Sequence, residues 1–264
     1  MNVTVFTSNQ PRHVALIEAL ATIADEVFAV QECNTVFPGR VQDFFHKSPT
    51  MQDYFSRVTV AEEEVFGTPR FPPANVRSLP VKMGDVSMLD VSVLEDALRA
   101  DMIVVFGASY VKGVLCDRLV DRRAINIHMG VSPYYRGSST NFWAMYDRRP
   151  QFVVATIHRL SKGLDSGPML FHALPAPAAV DPFVFGMRAV KAAHLSLVRH
   201  LRERTLSDLQ PVPQDRTAEL RYTRNADFTD EVAGEYLNRL PGKDEILGAA
   251  HRRDLSIYLR PVIA

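Results

Sequence analysis

The chain has 264 residues, 47% hydrophobic and 23% charged, and its 30 basic and 30 acidic side chains balance to a formal net charge of zero. A chain of this size buries a sizeable core, as one large domain or one domain plus a smaller appendage, and the composition is that of a soluble globular protein. Zero net charge argues against a nucleic-acid binder that works by neutralising many phosphates, and no run approaches the roughly 18 apolar residues of a membrane span.

Met1-Asn-Val-Thr-Val-Phe6 runs directly into a short buried strand, Val3 to Phe6, with no basic leader or cleavage site. The polar turn Thr7-Ser-Asn-Gln-Pro-Arg12 follows. Val14, Leu16, Ile17, Leu20 and Ile23 then repeat at helical spacing, which predicts a helix over 13–23. Glu26 to Val30 is a second strand. Residues 38–75 are the least regular stretch, with helical patches at Val41–His46 and Met51–Val65 and a Pro-rich turn over 68–73. Asp90 to Leu98 reads as a helix capped by Asp90.

Met102-Ile-Val-Val-Phe106 is a continuous apolar run of strand length ended by Gly107, and Ala124–His128, Phe152–His158 and Met169–Leu174 are three more. Strands apolar on both faces and alternating with helices predict a doubly wound, mostly parallel α/β sheet, with its site at the carboxyl ends of the strands. A long helix over 182–204, capped by Asp181, completes a main domain of residues 1–205. Beyond the linker-like Gln210-Pro-Val-Pro-Gln214, residues 206–264 read as a small extension and a candidate homodimer contact. The only cysteines, Cys33 and Cys116, have neither metal-ligand spacing nor a disulfide framework. They read as inert thiols in a reducing compartment, and a cytoplasmic location is expected.

Two short segments carry the chemistry. In Ala124-Ile-Asn-Ile-His128, Asn126 and His128 are two apart on a strand, so an amide and an imidazole share one face. In Lys162-Gly-Leu-Asp-Ser-Gly167, the carboxylate of Asp165 comes from a loop flanked by Gly163 and Gly167. Each residue also has a plain explanation: a strand-end cap, a structural histidine, a tight turn. Together they supply an amide donor, a base and a carboxylate, the parts needed to move an acyl group between nitrogens. His158, on a buried strand, reads as structural.

The run Ile125-Asn-Ile-His-Met-Gly-Val-Ser-Pro-Tyr-Tyr-Arg-Gly137 resembles the signature of the formyltetrahydrofolate-dependent formyltransferases. The resemblance covers roughly residues 1–205 and is most specific between 102 and 170. Met129-Gly-Val stands where a Pro-Ser-Leu-type stretch is common, and Ser166 where Thr is usual. The resemblance implies a Rossmann-like fold, N10-formyltetrahydrofolate as cosubstrate, no metal, and Asn126, His128 and Asp165 as catalytic residues. It further implies a pterin pocket lined by Phe106, Gly107, Ser109, Tyr110 and Lys112 on one side and by Leu160, Gly163 and Leu164 on the other. Without the resemblance, Phe106-Gly107 is equally a strand-end turn.

For the acceptor, Ser8, Asn9, Gln10 and Arg12 lie where an anion could meet a helix N-terminus, although a solvated turn explains them as well. Tyr134, Tyr135, Arg136, Asn141 and Phe142 follow the active strand and either bind acceptor or fill core. A methionyl-tRNA enzyme is expected to be longer and more basic, and a glycinamide ribonucleotide enzyme to carry glycines after the first strand. The resemblance is closest to sugar-nucleotide N-formyltransferases of O-antigen and lipopolysaccharide synthesis. GDP-perosamine is the first choice of acceptor and a dTDP-amino sugar the second, with no nucleic-acid or membrane partner. A folate- or nucleotide-binding regulator is the alternative outside enzymes.

Overall fold

The computed structural model describes residues 1–33, 44–68 and 70–264. The first elements are β1 (Asn2–Ser8), α1 (Pro11–Ala21), β2 (Glu26–Cys33), α2 (Pro49–Phe66) and β3 (Val76–Lys82). The middle holds α3 (Glu95–Leu98), β4 (Met102–Val105), α4 (Gly113–Asp121), β5 (Ile125–His128), β6 (Tyr135–Gly137) and α5 (Thr140–Tyr146). β7 (Ala155–Arg159), β8 (Met169–Leu174) and α6 (Pro182–Arg202) follow, then β9 (Arg221–Thr223), α7 (Asp230–Asn238), α8 (Lys243–His251) and β10 (Val262–Ile263).

Eight strands form one sheet in the order β10-β8-β7-β5-β4-β1-β2-β3. The pairs from β3 to β5 are parallel, and β7 alone runs against its neighbours β5 and β8. Both faces are covered, as the continuous apolar runs predict. Val3, Val5, Val104 and Ile125 pack beneath α1 and α6. Phe6, Ile103, Val105 and Ala124 alternate to the other face, against Leu98 of α3 and Leu115 and Leu119 of α4. α6 starts where its sequence says it should: the Asp181 side chain accepts a hydrogen bond from the Phe183 backbone N–H, and Pro182 opens the helix.

Several boundaries differ from expectation for local reasons. The strand expected from Phe152 starts at Ala155, because Pro150–Phe152 winds into a 3-10 turn. The helix over 90–98 divides into a 3-10 turn and the short α3, although Asp90 does accept the Ser92 N–H. β3 is a strand that the sequence hides, because Pro80 sits at its centre. It lies at the edge of the sheet, where the missing N–H costs no ladder bond. In the patch expected at 41–46, residues 41–43 lie outside the described residues, and Phe44–His46 is a single 3-10 turn. Pro69 of the Pro-rich turn also lies outside them.

Residues after 206 are woven into the main body. β9 pairs with β6 in a two-stranded sheet, and β10 joins the main sheet beside β8. Tyr236, Ile246, Ala250 and Tyr258 share a core with Tyr135, Trp143 and Phe183. The Arg221 guanidinium grips the Asp147 carboxylate with two nitrogens, at 2.8 and 3.0 Å, and lies 4.7 Å from the Trp143 ring centroid. Among the described residues no helix is long and apolar enough to cross a membrane.

β6 meets β9 at Gly137, whose φ is +90° and whose absent Cβ would strike the Thr223 carbonyl oxygen. Gly137→Ala should therefore cost about 1–3 kcal/mol in backbone strain, plus the loss of that pairing. Gly186→Ala, inside α6 with open space around it, should be neutral or slightly stabilising. Thermal denaturation of both variants checks the contrast, and a Gly137→Ala midpoint equal to the parent's would contradict it.

Candidate active site

The reversal of β7 builds the site. In the antiparallel β5–β7 register Asn126 faces His158 and His128 faces Thr156, so the four side chains share one face of the sheet. The loop after β7 then folds back over that face. Gly167 allows this, since a Cβ there would collide with the Arg159 carbonyl oxygen, and Asp165 takes a left-handed conformation at φ +45°. From beyond the linker, Gln214 Nε2 donates to the carbonyls of Asp165 and Gly167, both at 2.8 Å, and holds the loop down.

Asp165 thereby reaches both His128 and Asn126. Its Oδ2 lies 3.3 Å from His128 Nδ1, and its Oδ1 accepts from Asn126 Nδ2 at 3.1 Å. His158 enters the same network, which its reading as a structural residue missed. Its Nδ1 lies 2.7 Å from the Arg159 carbonyl and so carries the hydrogen. That leaves Nε2 to accept from Asn126 Nδ2 at 2.9 Å, with Asp165 Oδ1 3.8 Å away. The missing signal was strand direction: once β7 is antiparallel, pairing His158 with Asn126 follows from the register.

The electrostatics follow from this crowding. Burial works against a charged His128, yet the Asp165 carboxylate outweighs it and holds the imidazole pKa above its ordinary value. Burial likewise works against the Asp165 carboxylate, but His128 reverses the balance and holds it well below the usual range. The raised His128 pKa gives stability that is complete below about 6.5 and is lost as pH rises through the native value. The lowered Asp165 pKa gives stability that is complete above about 3.8 and is lost as pH falls through the native value. The pair contributes most between those limits.

Two cavities meet at His128, both of a size that holds small ligands. The larger, about 600 Å³, opens at the carboxyl ends of β4 and β5. Phe106, Gly107, Ser109 and Tyr110 line one side of it, and Leu160, Gly163 and Leu164 the other. The Tyr110 hydroxyl donates to the Lys162 carbonyl at 2.5 Å and so ties the two sides together. Lys112 stands outside this lining; its backbone N–H bonds Ser87 Oγ and its ammonium lies 5.7 Å from the Tyr110 ring centroid.

The smaller cavity, about 320 Å³, shares Arg12, His128, Met129, Gly137 and Ser139 with the larger. Asn141 and Phe142 line it as anticipated. Tyr54, Phe183 and Tyr236 line it too, from α2, α6 and α7, and scattered sequence positions gave no hint of them. Arg12 is engaged rather than open: its Nη1 and backbone N–H both bond Oε1 of buried Glu62, at 2.8 and 2.9 Å. Ser8, Asn9 and Gln10 line neither cavity, and the Ser8 hydroxyl bonds the Glu32 carbonyl. Tyr134, Tyr135 and Arg136 turn into packing instead. Tyr134 stacks on Phe152, Tyr135 is buried with its hydroxyl on Asp147, and Arg136 pairs with Glu219. Among the described residues no group of three or more His, Cys, Asp or Glu could hold a metal ion.

No protein-family model matches the chain. The structure of the formyltransferase PseJ from Anoxybacillus kamchatkensis, in complex with UDP-4,6-dideoxy-4-formamido-L-AltNAc and tetrahydrofolate, superposes with a TM-score of 0.52 at 15% identity. The match covers 95% of this chain and 100% of that one. This is the formyltransferase fold. Glycinamide ribonucleotide transformylase 1 from Symbiobacterium toebii matches at the same TM-score of 0.52 and 16% identity, over 81% of this chain and 94% of that one. A curated relative, methionyl-tRNA formyltransferase from Synechococcus sp., is 27% identical over 157 residues. That match takes in 58% of this chain and 44% of the relative's length, so this chain spans under half of it. The fold is thus shared by a protein solved with a formamido-sugar nucleotide and by one named for glycinamide ribonucleotide, while a methionyl-tRNA formyltransferase matches part of the sequence.

If Asp165 is what raises the His128 pKa, Asp165→Asn leaves burial and Arg136 opposed only by the hydrogen bond to the Tyr135 carbonyl. The His128 pKa should then fall below about 6.5. Titration of the imidazole proton resonances by NMR reads this directly, and a value still above 6.5 would show that the charge is held by something else.

Proposed function

We propose that the chain is a folate-dependent N-formyltransferase in which the larger cavity takes N10-formyltetrahydrofolate and the smaller takes the acceptor amine. The observation that carries this reading is His128 at the junction of the two cavities, paired with Asp165 in the wall of the larger. The cosubstrate assignment suits the larger cavity's make-up. Two backbone loops offer N–H and C=O groups, while Val105, Phe106, Val111 and Leu164 supply apolar walls for a flat ring system.

In this reading the unprotonated acceptor nitrogen attacks the formyl carbon. The new N–C bond forms, the carbonyl becomes an oxyanion, and the N10–C bond breaks as the tetrahedral intermediate collapses. The amine gives up a proton and N10 of the departing folate gains one. His128, whose charged form Asp165 favours, stands where it can donate to the oxyanion and take up and pass on that proton. Asn126 donates to the oxyanion by exchanging its bond to Asp165, while the bond to His158 Nε2 keeps the amide in register. Neither a covalent enzyme intermediate nor a metal takes part.

A nucleotide-linked amino sugar is the acceptor this reading favours, with GDP-perosamine first and a dTDP-amino sugar second, for surface-polysaccharide synthesis. The smaller cavity supports a ring-shaped, uncharged amine-bearing end: its walls are largely aromatic and aliphatic, and its one guanidinium is already paired with Glu62. The PseJ match over nearly the whole chain points the same way. Methionyl-tRNA is the second reading, favoured by the curated relatives. Zero net charge weighs against it, because a tRNA is gripped through its phosphates.

Incubation with N10-formyltetrahydrofolate and a panel of nucleotide amino sugars and methionyl-tRNA, scored by mass spectrometry, should give a formamide on a sugar nucleotide. Formylation of none of them, with folate still bound, would leave a folate-binding regulator. His128→Ala and Asp165→Ala should each abolish turnover and also lower the thermal midpoint, because the remaining partner is left buried and unpaired. Asn126→Ala should lower kcat by about 10² to 10³. Parent-like rates in any of the three would remove that residue from the mechanism.

A further inference from the structure

Glu32, at the end of β2, is 1% exposed, yet among the described residues no cationic side chain pairs with it. Its carboxylate is held by neutral donors alone. Oε1 accepts from the Gly84 N–H at 2.9 Å, the Val86 N–H at 3.3 Å and the Ser109 hydroxyl at 2.8 Å; Oε2 accepts from the Ser109 N–H at 2.5 Å. Its own carbonyl accepts from Ser8 Oγ at 2.8 Å. One residue therefore ties together the chain ends leaving β1, β3 and β4. A buried carboxylate left with fewer donors is costly, so these loops and the carboxylate constrain one another.

Of the tied residues only Ser109 lines the larger cavity, at the middle of the Phe106 to Val111 segment. Lys112 N–H to Ser87 Oγ, at 2.9 Å, adds a second tie between the same two loops. In dinucleotide-binding sheets of similar strand order, an acidic side chain near the end of the second strand binds a ribose hydroxyl. Here both carboxylate oxygens are occupied from inside the protein. The acid has become a fixture of the neighbouring pocket wall.

We propose that Glu32 is a positioning residue for the folate cosubstrate: through Ser109 it sets the backbone of the 106–111 segment at the spacing that grips the ring system. The inference rests on the larger cavity being the folate site. It assigns Glu32 no contact with either substrate.

The test uses the full chain and folinic acid, a stable formylated folate, as the probe. By calorimetry Glu32→Gln should weaken folinic acid binding about tenfold or more, since the amide replaces an acceptor oxygen with a second set of hydrogens facing donors. The KM for the acceptor and kcat at saturating folate should stay within about twofold of the parent, a split that general destabilisation would not produce. Amide hydrogen exchange should quicken in 106–112. Ser109→Ala should weaken binding less, and adding it to Glu32→Gln should cost little more, as expected when both changes break one network. Ser109→Ala also serves as the test if Glu32→Gln fails to fold, with a smaller rise in folate KM and an unchanged acceptor KM expected. Parent-like folinic acid affinity in the folded variants, or losses shared equally by acceptor KM and kcat, would overturn the inference alone. A parent chain that binds no folinic acid would overturn the formyl-transfer reading and this inference with it.

Discussion

The contact on which the rest of the structure depends is the one between the His128 imidazole and the Asp165 carboxylate. Neither charge is comfortable by itself, because both groups are largely buried and burial penalises each. Each is tolerated because of the other. Much of the surrounding architecture can be understood as the means of bringing them together: the reversed β7, the close approach at Gly167, the left-handed turn at Asp165 and the amide of Gln214 reaching across to the loop. A loop carboxylate without those restraints would sample water and leave the imidazole to titrate as a neutral buried base.

The sequence made part of this visible and hid the rest, for identifiable reasons. Asn126 and His128 were legible because strand periodicity is strict, and two residues at i and i+2 must share a face. Asp165 was legible through its glycine-flanked loop. His158 was not, because a run such as Val-Ala-Thr-Ile-His carries no mark of whether it runs with or against its neighbour. The apolar runs foretold a two-sided sheet, while β3 escaped because proline inside a strand is tolerated only at an edge, and edges are a property of the assembled sheet. The smaller cavity was beyond reach for a similar reason. Tyr54, Phe142, Phe183 and Tyr236 come from four helices and meet only through tertiary packing.

The two cavities also divide the problem of specificity. The larger is framed by loops that leave the parallel strands, as ligand sites in open α/β sheets usually are. The smaller draws a wall from α7, in the segment whose sequence looks least like that of a catalytic domain. The same fold recurs in a protein solved with a formamido-sugar nucleotide and in one named for a ribonucleotide, and part of the sequence matches a methionyl-tRNA formyltransferase. A fold can be held constant while its appended walls vary, so the choice of acceptor belongs with the walls.

The outer margins of the main sheet have a different consequence. One margin is β3, interrupted by Pro80 and carrying Arg77 and Lys82, and the other is β10, two residues long. A strand edge with a missing donor and repelling charges, or one too short to template a ladder, is a poor seed for strand addition. The sheet is therefore closed to growth at both ends, protected from cross-β aggregation without being sealed into a barrel. Copies of this chain that associate would not do so by extending the main sheet.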